Sequence, residues 1–437
     1  MRTCCLVFIF CLAAAGYPNL YAADSARYTL NDLCRAANDN ARTIRIATDE
    51  VFIAEQEKKR ALSVLVPRAT AFGSHTNHKD TSFISPDTTT VGVKLTQSFT
   101  LNGKELIAYD VTKKGIDKTL FTLEGIRSDY LLQVALSYFD TLEAKRLLEI
   151  AEADVQRLAA HKNAVKEKLR VGSVTRTDLY RAEAALSRAM SDRVMAGSAV
   201  IQNKARLVEL TGIGEPFVIS DEDITPMEEF DPTLAAIQET AMQNRYEIQE
   251  AEKNLEISDQ TVSYEKGDYW PKLNLETGYR ESDTSYGSSG AAGGLAGNIA
   301  SDAEDTYIQA ELVFTLYDGG LRKAQINQAM ARKRQAAQAL SQTRKEIILE
   351  STVAFSDYET ARKVLVNLDD ELKAAQENHK AVQMQYQYGM ADIIDMMDAN
   401  TLLVQAERSM SNARYAMLQT MYRILHTQGE LLAYLLE

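Results

Sequence analysis

The stretch LRKAQINQAMARKRQAAQALSQTRKEIILESTVAFSDYETARKVLVNLDDELKAAQENHKAVQMQYQY, residues 321–388, contains neither glycine nor proline. Within it Leu340, Ile347, Ala354, Ala361, Leu368, Ala375 and Val382 recur at strict intervals of seven. A hydrophobic period of 3.5 residues drives a helix to supercoil left-handedly against its neighbours. At 1.5 Å per residue, such a helix runs about 100 Å. The seam is rich in alanine, which lets helix backbones approach closely. Periodicity alone fits a soluble coiled-coil rod as well as a bundle, so the rest of the chain must decide.

The same series occurs earlier. Leu123, Tyr130, Ser137, Ala144, Ala151, Leu158 and Val165 repeat at seven, and Leu123 stands 217 residues before Leu340. Gly172 stands the same distance before Gly389. One offset shared by seam and punctuation identifies an internal duplication. The glycines mark the far turn of each arm, and returning helices are expected over about 177–211 and 393–436. Asp178 and Asp392 fall near their starts, where carboxylates favour the helix dipole.

Proline divides the chain. It occurs at 18, 67, 86, 216, 226, 232 and 271, leaving 87–215 and 272–437 without it. Proline breaks helix interiors, so these arms are the places for long helices. The segment 214–232, rich in Asp, Glu, Pro and Thr, reads as a linker between repeat 1 (23–213) and repeat 2 (233–437). Each repeat is read as a helix, a β-hairpin and a long helix pair.

The first 22 residues read as a secretory leader. Arg2 carries the only charge, Leu6 to Ala15 form a short apolar run, and Leu20-Tyr21-Ala22 supplies a small residue at a cleavage point. Removing it takes the net charge from −13 to −14 and leaves Cys34 as the single cysteine of about 415 residues. No intramolecular disulfide is then possible. No later segment approaches about 20 continuous apolar residues, so membrane contact must come through strands. The acidic balance, with no basic clusters, argues against nucleic acid.

Strands are legible between the helices. Val91, Val93, Leu95 and Phe99 alternate with Gly92, Lys94, Thr96 and Ser98. Leu273, Leu275 and Tyr279 alternate with Asn274, Glu276 and Arg280. Ile308, Ala310, Leu312, Phe314 and Leu316 alternate with Tyr307, Gln309, Glu311 and Thr315. Period two gives one apolar and one polar face. A weaker partner lies at about 68–80, and 281–305, rich in Gly, Ser, Ala and Asp, reads as a loop. Strands of ~10–13 residues cross a bilayer when tilted. Four cannot close a barrel, because open edges are not tolerated in lipid. Closure needs several chains, and a trimer supplies twelve strands around a water-filled lumen. A soluble sheet covered by helices is the alternative. Tyr269, Trp270, Tyr279, Tyr307 and Tyr317 are placed either in an interfacial belt or where helices meet the strands.

These residues resemble the TolC-like outer-membrane efflux protein family over essentially the whole chain after the leader. The most specific pieces are the two tips, Arg170 to Asp178 and Tyr386 to Met390, the latter continuing from Ile393 to Ala399. The segments ending in Val66-Pro67 and Trp270-Pro271, and the phrase Phe314 to Gly320, are also similar to family sequence. The resemblance implies a homotrimer: a twelve-stranded outer-membrane β-barrel continued by an α-helical coiled-coil tunnel across the periplasm. It implies docking to an inner-membrane transporter through a periplasmic adaptor, with the protein a passive conduit for efflux or type I secretion. Carried over, Val171, Gly172, Tyr388, Gly389 and Met390 are expected at the adaptor contact. Asp395 and Asp398 are expected at the gate, and Thr177, Asp178 and Tyr386 in its closing contacts. The family's gate has arginine where this chain has Ala391, which leaves Arg176 of the other repeat as the substitute to examine.

On spacing alone, Asp395 and Asp398 share one helix face. They read either as acids complementing a helix start or as a cation-attracting carboxylate ring. No catalytic, metal or cofactor site is expected. The five histidines are scattered, with no HExxH, phosphate loop or nucleophile elbow. The alternative function is a periplasmic coiled-coil adaptor or scaffold without a pore, which calls for a compact β-rich domain between unduplicated arms.

Overall fold

The computed structural model describes residues 27–77, 85–214, 217–220, 230–287 and 300–436. The leader, positions 78–80 of the weaker strand, positions 288–299 of the glycine-rich connection and most of the linker lie outside them. In chain order the elements are β1 (Arg27–Tyr28), α1 (Leu30–Asn40), α2 (Arg42–Val64), β2 (Arg68–Thr76), β3 (Ser85–Thr100), α3 (Lys104–Arg170), α4 (Arg176–Thr211) and β4 (Val218–Ile219). There follow α5 (Leu234–Asn244), α6 (Tyr246–Lys266), β5 (Lys272–Gly287), β6 (Ala300–Val313), α7 (Leu321–Gln387), α8 (Ile393–Gln428) and α9 (Leu431–Leu436).

The duplication is carried into every long element. Helices α3 and α7 each have 67 residues, and α4 and α8 each have 36. Lys104 and Leu321 stand 217 apart, as do Arg176 and Ile393. Upstream, α1 and α5 start 204 residues apart, as do β2 and β5. The offset therefore grows within the second hairpin, where extra chain is accommodated without disturbing the helical register. Duplicated arms and strand pairs do not match the compact β domain between single arms that the adaptor alternative requires.

The first heptad seam is buried at Leu123, Ser137, Ala144, Ala151, Leu158 and Val165, while Tyr130 is half-buried and donates its hydroxyl to the Leu210 carbonyl at 2.8 Å. In the second, Leu340, Ile347, Ala354 and Ala375 are buried, and Ala361, Leu368 and Val382 are half-buried. The largest apolar core lies where α1, α5 and α9 pack on the long helices, around Leu33, Leu131, Tyr138, Tyr358 and Ile424. The Tyr138 and Tyr358 hydroxyls are satisfied by the Ser220 and Phe230 carbonyls.

Three expectations need correction here. The final helix is not continuous over 393–436: it stops at Gln428, and Gly429 turns the chain with φ of 76° before α9. A side chain at Gly429 would stand 2.9 Å from the backbone of Asn244 and would meet a backbone conformation costly for other residues. The segment 281–305 is not all loop, since β5 runs to Gly287 and β6 restarts at Ala300. Its polar residues pair with the threonine-rich start of β3, so ladder hydrogen bonds sustain a strand that composition alone disguised. The segment read as a linker also contains a strand, β4, paired in parallel with β1.

The four longer strands form one antiparallel sheet in the order β2-β3-β5-β6. They have 9, 16, 16 and 14 residues, three of them longer than expected. The pleat sorts their side chains. One face carries Lys94, bonded to Glu276 at 3.2 Å, with Tyr307 donating to the same carboxylate at 2.6 Å, and Arg280 paired with Asp305 at 2.8 Å. The other face presents Val91, Val93, Leu95, Leu275, Tyr279, Ile308 and Leu312, all exposed. Among the described residues no helix covers that apolar face, which does not match a helix-covered sheet. The aromatics divide. Tyr307 belongs to the polar face and Tyr269 lies under the Arg322 guanidinium. Trp270 and Tyr317, with Phe314 and Leu316, stand exposed at the base of the sheet. Among the described residues no helix is long and apolar enough to cross a membrane.

Candidate functional site

At the end of the molecule opposite the sheet, α3 turns into α4 and α7 into α8. Gly172 and Gly389 take φ of 79° and 75°, the left-handed conformation that favours glycine. Val171, Tyr388 and Met390 around them are 71%, 79% and 72% exposed. Each return helix starts with a capping box. Thr175 and Asp178 cap α4, and Asp392 and Asp395 cap α8. The Asp392 amide donates to the Asp395 carboxylate at 3.1 Å, as the Thr175 amide does to Asp178 at 2.7 Å.

This geometry revises the reading of the acids. Asp178 corresponds to Asp395, 217 residues on, and Thr175 to Asp392; Asp178 is thus the inner partner of a box, not merely an acid near a helix start. The Thr175 amide and hydroxyl hold the Asp178 carboxyl below the usual carboxylate range. Asp395 has its own capping bond, so its role at the helix start is realised in full. Asp398 is exposed one turn further on, and its counterpart in the first repeat is Arg181. The repeats therefore differ by a charge reversal at this position.

Behind the turns lies a small separate core of Val165, Ala182, Tyr386, Ile393 and Met396. Tyr386 is 7% exposed and its hydroxyl has no hydrogen-bond partner among the described residues. Burial, with Asp178 nearby, pushes its phenol upward. His161 lies 5.2 Å from its ring, and burial together with Lys168 pushes the imidazole downward. Thr177 is exposed on the first turn of α4. Tyr386 and Asp178 are thus brought into one neighbourhood, whereas Arg176 is exposed and forms no ion pair among the described residues. The basic group that reaches Tyr386 is Lys168, which the sequence reading missed. Its Nζ donates to the Tyr386 carbonyl at 2.9 Å. Nothing local marks it, because donor and acceptor lie 218 residues apart.

Higher up, Asn400 of α8 donates to Asp154 of α3 at 2.8 Å, with both side chains buried, and Arg157 pairs with Glu407 at 3.2 Å. These polar bridges cross the alanine seam between the two helix pairs.

Comparison with known proteins agrees with this architecture. The model of the outer membrane efflux protein family matches residues 33–213 and 237–429. Outer membrane protein TolC of Escherichia coli is 22% identical over 427 residues, spanning 96% of this chain and 85% of TolC. Among solved structures, CusC superposes with a TM-score of 0.81 at 16% identity, covering 93% of each chain. The Campylobacter jejuni CmeC outer membrane channel gives 0.78 at 17%, covering 92% of this chain and 86% of CmeC. With two matched segments, a duplicated arm and an uncovered apolar sheet face, the chain belongs to the outer membrane efflux protein family, as an export duct seated in the outer membrane and extending into the periplasm.

Proposed function

We propose that three copies of this chain close into a twelve-stranded barrel, with β6 of one chain pairing to β2 of the next. The observation that carries this is the sheet itself. Its apolar face is uncovered, its polar face is internally bonded, and β2 and β6 are its two edges. Edges exposed to lipid leave backbone groups unsatisfied, and closure removes them. Outer-membrane lipid then contacts Val91, Val93, Leu95, Ile308 and Leu312. The long helices continue the lumen through the periplasm as a passive conduit, and residues 1–22 act as the cleaved leader.

The tips are the docking end. Val171 and Gly172, with Tyr388, Gly389 and Met390, meet a periplasmic adaptor, which joins the duct to an inner-membrane transporter of an efflux or type I secretion system. Their exposure at the extreme turn supports this role. Asp395 and Asp398 form the gate, with Thr177, Asp178 and Tyr386 in the closing contacts. Three chains bring six carboxylates around the mouth, where they attract cations.

Fractionation tests the assembly: a heat-modifiable trimer in the outer membrane is expected, and a soluble monomer would defeat it. Single-channel recording tests the gate. Asp395→Asn/Asp398→Asn should weaken block by divalent cations. Block identical to wild type would remove these residues from the gate.

A further inference from the structure

We propose that Lys168 is an intrachain latch that holds the second tip, bearing Asp395 and Asp398, against the first. The proposal rests on the reading of the tips as the gated mouth and adds the residue that keeps them together. Four observations carry it.

Helix α7 has no basic residue in its last turn, so its terminal carbonyls lack the cation that commonly complements a helix C-terminus. Lys168, from the last turn of α3, supplies that cation from outside the helix, donating to the Tyr386 carbonyl at 2.9 Å. The same ammonium sits 3.9 Å from the centroid of the Tyr386 ring, within the range of a cation–π contact. One side chain thus grips both the backbone and the ring of one residue, beside the small tip core of Val165, Ile393 and Met396.

The location gives the contact its consequence. Along their shafts the two long helices pack on α4 and α8 respectively, and α3 also packs on α8, so direct links between α3 and α7 are few. At the tips Lys168 bridges them directly. The bridge is also one-sided: the position corresponding to Lys168 in the second repeat is Gln385, and that corresponding to Tyr386 in the first is Leu169. The first tip therefore holds the second, and no equivalent contact runs back. Separating the tips requires the ammonium to leave both partners together.

The experiment uses the full-length trimer in lipid. Nitroxide labels at Val171→Cys and Tyr388→Cys, both exposed positions, report the distance between the two tips by electron-spin resonance. Single-channel recording on unlabelled protein reports the mouth. In Lys168→Met the label distances should broaden and lengthen, and the resting conductance should rise several-fold. Lys168→Arg, which keeps the charge and the reach, should return both to wild-type values. Label distances in Lys168→Met that match wild type would overturn the latch. Broadened distances with wild-type conductance would support the latch and remove the tips from the role of gate, so the two readings fail separately.

Discussion

Arg245→Ala should destabilise the helical body by about 1.5–3 kcal/mol, the scale of hydrogen bonds to charged groups, because the carboxylates left behind on Glu247 and Glu350 have side chains 38% and 41% exposed and regain water. Arg245 is 6% exposed at the elbow between α5 and α6. Its guanidinium donates to Glu247 at 2.9 Å, to Glu350 at 3.0 and 3.1 Å, and to the His426 carbonyl at 3.1 Å. His426 is bonded in turn to Asp129 at 2.8 Å, and Thr427 donates to Glu350. One arginine thereby joins α6, α7 and α8, and the histidine extends the cluster to α3. The corresponding elbow residue of the first repeat is Ala41, in an apolar group with Ile44, Ala47 and Leu123. The fold therefore closes the same bend with hydrocarbon in one half and with charge in the other. Denaturant unfolding followed by circular dichroism checks the prediction, and a loss below about 1 kcal/mol would show that the ion cluster contributes little.

The same cluster predicts a pH dependence with a defined sign. Burial opposes ionisation of Glu350, but the His426 imidazole 3.6 Å away and the charge of Arg245 hold its carboxyl down to about 2. A depressed carboxyl contributes stability that is present above its unfolded value, near 4.3, and is lost as pH falls toward about 2. His426 has the opposite sign. Burial and the facing Arg245 work against its charge, yet the bond to Asp129 and the Glu350 carboxylate 3.6 Å away raise it above its ordinary value, so its contribution is present below about 6.5 and is lost as pH rises through the folded value. Unfolding midpoints measured from pH 2 to 8 should fall on both limbs for the wild type. Glu350→Gln should flatten the acid limb.

The second large effect is expected in the sheet. Gly92→Val should abolish the heat-modifiable trimer while leaving most of the helical signal intact. A Cβ on Gly92 would stand 2.5 Å from the Tyr279 carbonyl oxygen, 3.1 Å from the Arg280 Cα and 3.0 Å from the Phe72 ring. Two of those neighbours are backbone and cannot swing aside. The β3–β5 pairing joins the two hairpins, so its loss separates the halves of the sheet. Gly278, across from Tyr307, is similarly tight, its Cβ 2.9 Å from the Val93 carbonyl. Each glycine lies beneath an aromatic ring from the neighbouring strand, which covers the gap that the missing side chain leaves. The cost should reach or exceed the upper end of the ~1–3 kcal/mol typical of overpacking. Electrophoresis without heating checks it, and trimer at wild-type yield would contradict it.

Much of this was legible in the residues because helices and strands have short periods. The seven-residue series from Leu123 and Leu340 placed both arms. Gly172 and Gly389 placed their turns, and the alternation around Val93, Leu275 and Ile308 placed three strands with the correct faces. The extension of β5 and β6 was hidden because small and polar residues resemble a loop until a partner strand supplies hydrogen bonds. The break at Gly429 was marked by its glycine, but the apolar Leu431 to Leu436 beyond it carried the helical pattern onward. At the tips the chemistry around Asp395 was visible and its capping geometry was not, although Asp178 stands at the same offset of 217.

By itself, then, the sequence determined the duplicated arms, the polar and apolar faces of the strands and the exposed turns, all of which follow from spacing within one element. Only the tertiary structure decided that Lys168, not Arg176, reaches Tyr386, and that Arg245 ties Glu350 to His426. Those partners lie 218, 105 and 181 residues apart. Contacts at such separations leave no period in the chain; they arise from how completed helices pack, and packing is what sets one charge beside another.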